Sequence, residues 1–436
     1  MVLSVDSDQT EPVSDLQERH RQVMGLGAPL FYQEPLNLVK GEGVWLYDDE
    51  GRRYLDLYNN VPCVGHANPA VVEAMASQAA TLNVHSRYLN ETVVDYVERL
   101  LGLHHDGLNA AVVTCTGSEA NEVAIMMARA ATGKVGIIGT DATYHGNTAQ
   151  VAKLTRLPVD GDRSGVRSIA TPQTYRPIEP GLSDDELCDR HINQLEAQIA
   201  AFNDEGVGFA GLMLCSILAN EGLPTAPGRF FQRASEVVRA AGGLIIADEV
   251  QAGFARSGSW WGYEVNDFEP DIVSLGKPMG NGLPLAGVIA DHELVSGFRA
   301  THRYFNTFAA SPLQAAVGNA VIEEIETRGL VEQVAEVGAG VRAALGELQP
   351  DCPAMGDVRG HGLFLGIDWV HPGTNDPDVE AAGRVVEAMK ERGMLMGQAG
   401  QHGNVLKLRP PLVFDHDHAA LFLAAFAEAV EVVDVG

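Results

Sequence analysis

Two short apolar runs, each ending on a charged residue, limit what this chain can fold into. Gly243-Leu244-Ile245-Ile246-Ala247 leads into Asp248-Glu249-Val250-Gln251, and Asp271-Ile272-Val273-Ser274-Leu275-Gly276 leads into Lys277. Both runs are rich in Ile, Leu and Val and bounded by Gly or Pro, the pattern of strands buried on both faces of a parallel sheet. Elsewhere buried strands alternate regularly with helical stretches, which predicts an α/β fold, a three-layer sandwich around a mostly parallel sheet.

In open α/β sheets chemistry collects beyond the carboxyl ends of the strands. An Asp and a Lys delivered there fit a pyridoxal phosphate site. The Lys amine forms a Schiff base with the cofactor aldehyde, and the Asp carboxylate keeps the pyridine nitrogen protonated. Each residue also has a plainer use: Asp248 as a turn or helix cap, and Lys277, between Gly276 and Pro278, as a solvated loop residue. Their pairing, together with Gln251 and the loop from Gly253 to Gly258, favours the chemical reading.

A chain of 436 residues is long enough for one large domain with a smaller one attached. Its 58 acidic and 30 basic residues give a formal charge of −28, which argues against nucleic acid or an anionic membrane surface as partner. The same field repels an anionic substrate at long range, so such a substrate needs a local basic pocket. Five cysteines in no paired spacing read as reduced thiols of a cytoplasmic protein. The polar, acidic start has no apolar signal core, and no apolar run reaches membrane-spanning length.

Residues 1–14 read as a disordered leader and 15–65 as the N-terminal segment of a small domain. That segment holds a helix over Asp15–Met24 and strands at Leu36–Val39, Val44–Tyr47 and Tyr54–Leu57, with a turn at Asp48-Asp49-Glu50-Gly51. A large domain over 66–311 starts with a helix after Asn68-Pro69. It continues through strands at Ala110–Cys115, Val135–Gly139, Phe209–Cys215, 244–248, 272–276 and 285–290. Within it, helices run to about Ala131 and over Arg229–Ala241, and 157–185 read as one long active-site loop. Residues 312–436 form the C-terminal part of the small domain. Two helices run to Leu348, strands lie in Gly356–Val370, and a helix covers Asp378–Arg392. A strand at Asn404–Leu408 and a last helix over His416–Asp434 complete it.

Four further stretches are candidates for chemistry. Thr116-Gly117-Ser118 lies at a strand-to-helix junction, where free amides and a hydroxyl can hold a phosphate, or where Ser118 simply caps the helix above Glu119. Tyr144-His145-Gly146 follows a strand, so Tyr144 can stack on a pyridine ring or sit in the core, and His145 can be a hydrogen-bonded core histidine. Tyr304-Phe305-Asn306-Thr307-Phe308 precedes a helix and offers a hydroxyl. Lys407 and Arg409 alternate with Leu406 and Leu408, so both face one side of a strand, as a solvated face or as a two-cation grip on an anion.

Asp248-Glu249-Val250-Gln251-Ala252-Gly253-Phe254, Gly276-Lys277-Pro278, Thr116-Gly117-Ser118-Glu119-Ala120-Asn121 and Tyr144-His145-Gly146 stand in the order and spacing of class III aminotransferases. The chain resembles this family of fold-type I pyridoxal phosphate enzymes from about residue 30 to 430. The resemblance implies a seven-stranded sheet and a homodimer with shared active sites. It makes Lys277 the Schiff-base residue and Asp248 the partner of the pyridine nitrogen. It also places Gln251 by the ring hydroxyl, Val250 and Tyr144 on the two ring faces, and Gly117 and Ser118 at the phosphate. Thr307 is implied to reach that phosphate from the other subunit.

Within the family the chain is similar to the ethanolamine-phosphate phospho-lyase branch. The similarity lies in Ser86-Arg87-Tyr88-Leu89, Thr174-Tyr175-Arg176, Tyr304-Phe305-Asn306-Thr307, Gly356-Asp357-Val358-Arg359-Gly360 and Asn404-Val405-Leu406-Lys407. It departs from the usual aminotransferase pattern where Cys215-Ser216 replaces a Glu-Pro pair and Lys407 stands for an Arg that grips carboxylate. The implied reaction is elimination of phosphate and ammonia from phosphoethanolamine or a similar phosphorylated terminal amine. Lys407 is the first choice for the anion grip, with Arg87, Arg409 and Asn60 behind it. The alternative is an ω-aminotransferase passing an amino group from a terminal amine to a keto acid such as pyruvate.

Overall fold

The computed structural model describes residues 15–155 and 163–434, so the expected 1–14 leader lies outside the described residues. Its centre is a sheet of seven strands. In spatial order they are Ala110–Thr114, Ala286–Ala290, Ile272–Leu275, Leu244–Asp248, Phe209–Cys215, Gly136–Thr140 and Val166–Ile169. Ala286–Ala290 runs antiparallel to both neighbours and every other pairing is parallel. The family expectation of seven strands holds. Ile246, Ala247, Ile272, Val273 and Leu275 are fully buried because helices cover both faces.

Register sets the site. Cys215 pairs with Asp248, and Asp248 pairs with Ser274, so three adjacent strands end level with one another. The next residues along the chain, including Lys277, therefore emerge at one edge of the sheet.

Residues 157–185 differ from the single active-site loop expected for them. Part of the stretch lies outside the described residues. Val166–Ile169, however, is the edge strand of the central sheet, paired in parallel with Gly136–Thr140. Its apolar content is low because Arg167 and Ser168 interrupt it, which hides it from pattern reading. Arg167 uses its stem and charge at once, covering the Phe202 ring at 5.1 Å and pairing with Glu205. Further on, Arg176 forks onto the fully buried Asp368, which Arg359 and Asn404 also bond. Thr174–Arg176 is thus strapped to the C-terminal strands.

At the N-terminal end, Leu38–Glu42, Trp45–Asp48 and Arg53–Asp56 form a meander that Met394–Leu395 extends in parallel. Its turn forms because Asp48 accepts from the backbone N–H of Glu50 and Arg52 at 3.1 and 2.8 Å. A second antiparallel sheet joins Met355–His361, Phe364–Trp369, Val405–Leu408 and Gly397–Ala399. In it Lys407 sits across from Gly366 on one side and Gly397 on the other, so neither neighbour crowds it with a side chain. Helices Glu91–Leu101, Asp184–Asp204 and His292–Thr301, which the sequence reading left unassigned, cover the large sheet. Among the described residues no disulfide forms, and no helix is long and apolar enough to cross a membrane.

Candidate active site

The helix Gly117–Thr132 begins with Thr116 as its cap, not Ser118. The Thr116 hydroxyl accepts from Glu119 N–H at 3.1 Å and the Glu119 carboxylate returns to Thr116 N–H at 3.0 Å. Ser118 is thereby released from capping. Among the described residues no bond takes the N–H of Gly117 or Ser118, so the helix start keeps donors for an anion. Backbone comes close here. A Cβ on Gly117 would meet Val250 at 2.7 Å. Gly146, with φ +130°, would place one 2.3 Å from the Ser118 hydroxyl oxygen. Only residues without side chains leave this cradle open.

Asp248 ends its strand inside a shell of donors. Its Oδ2 is bonded by His145 Nδ1 at 2.6 Å and Asn121 Nδ2 at 3.0 Å, and its Oδ1 by Val250 N–H at 3.0 Å. Thr143 fixes the far side of the His145 ring at 2.8 Å. His145 is thus the hydrogen-bonded histidine allowed for, and its partner is the candidate catalytic carboxylate. A carboxylate so surrounded is fixed in orientation and keeps room to accept one more hydrogen bond, as from a protonated ring nitrogen.

Lys277 has φ +29°, a conformation uncommon for a residue with a side chain, and follows Gly276 directly. Burial lowers its ammonium below the usual lysine value. Asp248 opposes the shift and Arg409 adds to it. A lysine biased toward the free amine is suited to act as nucleophile and base.

These groups enclose one cavity of about 200 Å³, bounded by Gly117, Ser118, Asn121, Tyr144, His145, Cys215, Asp248, Val250, Gln251 and Lys277 among others. The donors at the helix start, the glycine cradle, the acceptor carboxylate and the amine fit pyridoxal phosphate group by group. A wider cleft of about 810 Å³ shares Tyr144, Asn220, Gln251 and Lys277 with it, and adds Tyr58, Gln398, Lys407 and Arg409.

The predicted anion-binding residues separate. Lys407 is buried on the wall of the wider cleft, with its ammonium 5.7 Å from the Phe364 ring centre and in no ion pair among the described residues. Burial, then Arg409, push its pKa well below the ordinary lysine range. Arg409 shares the wall, but its guanidinium bonds Gln251 Oε1 and covers the Tyr58 ring at 4.3 Å. Asn60 is on neither wall. It is buried and donates to the Gln251 backbone carbonyl at 3.0 Å. Arg87 is exposed over the Phe305 ring at 4.0 Å and lines neither of these two cavities, and Thr307, two residues on from Phe305, is exposed as well.

Sequence reasoning assigned no role to Asn220, Tyr58 or Gln398. Asn220 follows the carboxyl end of Phe209–Cys215, the one signal that could have flagged it. Tyr58 follows the strand Arg53–Asp56 and Gln398 lies in Gly397–Ala399, so both reach the cleft only when segments distant along the chain pack together.

The chain matches the family description "Aminotransferase class-III" over residues 31–430. It is 34% identical to the alanine–glyoxylate aminotransferase 2-like protein of Drosophila melanogaster, over 98% of this chain and 89% of that one. It is 30% identical to ethanolamine-phosphate phospho-lyase homolog 1 of Caenorhabditis elegans, over 93% of this chain and 90% of the relative. A solved phospholyase from Arthrobacter in complex with phosphoethanolamine superposes with a TM-score of 0.93 at 40% identity, covering 96% of this chain and 99% of the other. Fold, site and relatives agree: this chain belongs to the class III aminotransferase family, a fold-type I enzyme that works with pyridoxal 5'-phosphate.

Proposed function

We propose that this enzyme is a phospho-lyase acting on phosphoethanolamine or a closely similar phosphorylated terminal amine. The observation that carries the reading is Lys407, a buried lysine in no ion pair among the described residues, with Glu221 acting on it only at longer range, on the same cleft wall as Lys277. In a chain of charge −28 a lone buried ammonium is costly unless a ligand pairs with it. The similarity to the two phospho-lyase relatives supports the same choice.

Pyridoxal phosphate, when bound, supplies the electron sink that makes the amine-bearing carbon acidic. The rest is done by this chain's own groups. Gly117, Ser118 and the helix start hold the cofactor phosphate, with Thr307 added from a second copy, and Tyr144 and Val250 clamp the ring. Asp248, fixed by His145 and Asn121, keeps the ring nitrogen protonated. The Lys277 amine takes the proton from the amine-bearing carbon. The Lys407 ammonium meets the phosphate oxygens as the neighbouring C–O bond breaks and the electron pair leaves with phosphate. Water then completes the balance: phosphoethanolamine and water give acetaldehyde, ammonia and inorganic phosphate.

The second copy is part of the proposal. Tyr88, Leu89 and Phe308 are exposed, and Arg87 and His85 pack on Phe305, so the surface carrying Thr307 is largely apolar and suits burial in a homodimer. The absence of disulfides among the described residues suits the reducing cytoplasm. The ω-aminotransferase reading draws on the Drosophila relative and on the ability of the same cations to hold a keto-acid carboxylate. The deciding experiment incubates the purified holoenzyme with phosphoethanolamine and related phosphorylated amines, with and without pyruvate. Phosphate and ammonia released in equal amounts without pyruvate is the expected result. Amine consumption that requires pyruvate, with no phosphate released, would establish the aminotransferase instead.

A further inference from the structure

Arg409, Gln251, Asn220 and the Tyr144 carbonyl form one directed chain of hydrogen bonds across the mouth of the cofactor cavity. The Arg409 guanidinium donates to Gln251 Oε1. Gln251 Nε2 donates to Asn220 Oδ1 at 2.9 Å, and Asn220 Nδ2 donates to the Tyr144 carbonyl at 2.8 Å. A side-chain amide can be turned end for end, and by itself Gln251 could face the cavity with either its oxygen or its nitrogen. Here the choice is removed from both ends. A guanidinium can only donate and a backbone carbonyl can only accept, so the two amides between them have one consistent direction.

We propose that Arg409 is a positioning residue that fixes the direction of this chain, so that Gln251 presents an N–H to the cofactor's ring oxygen and Tyr144 is held on the ring face. Gln251 Nε2 has two hydrogens, and Asn220 uses one. The second remains for an anionic oxygen, whereas a turned amide would offer a lone pair to it. The Gln251 backbone is pinned independently by Asn60, which donates to its carbonyl at 3.0 Å, so the side chain's direction is what Arg409 controls. Arg409 is in turn seated by the Tyr58 ring at 4.3 Å and by its own N–H on Leu57 O at 2.8 Å. The two basic residues of the strand therefore divide the work: Lys407 is left for the substrate anion, and Arg409 is engaged in ordering the cofactor's surroundings. Only this division of labour rests on the phospho-lyase reading. The orienting role rests on the family and the geometry.

The test compares Arg409→Met, Arg409→Lys and Asn220→Leu with the parent holoenzyme. Two readouts do not depend on turnover: the cofactor dissociation constant, and the pH midpoint of the bound cofactor's visible absorbance. A donor to the ring oxygen favours its deprotonated form, so losing a fixed donor moves the midpoint up. Arg409→Met is expected to raise it by about one pH unit and to weaken cofactor binding about tenfold, the change one such unit represents, whereas Asn220→Leu, which leaves Arg409 bonded to Gln251 Oε1, is expected to keep the midpoint near the parental value. Arg409→Lys, also donor-only, is expected to restore most of both. If Arg409→Met leaves midpoint and cofactor affinity at parental values, the inference is overturned. If it instead raises KM for phosphoethanolamine alone, Arg409 is a substrate ligand and the inference is again overturned. Should Arg409→Met fail to fold, a midpoint raised by a full unit in Asn220→Leu, where Arg409 still bonds Gln251, overturns it, because Arg409 then does not set the direction.

Discussion

Replacing Lys407 by Met tests the proposed anion grip at one atom. Methionine has similar length and fills the same slot between Gly366 and Gly397, but carries no charge. Lys407 is 4% exposed, so its interaction with a bound phosphate is little screened by solvent. Removing one member of a buried, hydrogen-bonded charge pair costs about 2–5 kcal/mol, or a loss in kcat/KM between about 30-fold and several thousand-fold. The assay is phosphate release from phosphoethanolamine, set beside pyruvate-dependent turnover of an unphosphorylated amine, which loses little. The pH profile adds a signed check. Burial, then Arg409, lower the Lys407 pKa well below its ordinary value in the free enzyme. The cationic form is present below that lowered value and fades above it, so KM for the phosphorylated substrate rises with pH through it. Lys407→Arg flattens this limb because a guanidinium stays protonated. Stability moves the opposite way: the Met variant melts higher, since an unpaired buried ammonium is removed. A folded Met variant releasing phosphate at the parental kcat/KM would refute the reasoning.

Asp368→Asn removes the carboxylate that Arg176 and Arg359 share and leaves two largely buried guanidinium groups without it. The expected loss is about 3–5 kcal/mol, read as a shift in the urea midpoint. Burial alone would raise the Asp368 pKa, but the bonds from Arg176 and Arg359 outweigh it and lower it. The parent therefore gains stability above the unfolded carboxyl value and loses it as pH falls through the folded one, and the variant lacks this acid-side loss. Gly146→Ala places a Cβ at φ +130° and 2.3 Å from the Ser118 hydroxyl oxygen, so cofactor retention on dialysis falls sharply while the circular dichroism spectrum is kept. Thr307→Ala weakens cofactor retention although Thr307 is exposed and off its own chain's cavity. Unchanged retention, or full retention in a monomer, would remove the proposed contribution from a second copy.

The large sheet was legible because its strands are buried on both faces, and continuous apolar runs such as Phe209–Cys215 and Leu244–Asp248 announce themselves. Val166–Ile169 was not, because an edge strand with Arg167 turned to Gln198 and Glu205 and Ser168 exposed has no such run. At the turn from Ala110–Thr114 into Gly117–Thr132 the motif marked the strand-to-helix junction but left the cap open. Thr116 and Ser118 are both good capping residues, and only the capping box with Glu119 decides between them.

The sequence by itself determined the fold class and the cofactor, and it pointed to Asp248 and Lys277 as candidates, since each is written locally in a strand and the residue that ends it. Tertiary structure decided the rest. His145 and Asn121 became partners of Asp248 because a loop and a helix meet at one sheet edge. Lys407 and Arg409, equivalent on a strand read from sequence, have different surroundings in the fold: Arg409 meets Tyr58 and Gln251, residues far from it along the chain, and Lys407 does not. Spacing along a strand tells which side a residue faces. What it meets there depends on contacts between distant segments, and those exist only once these segments have packed.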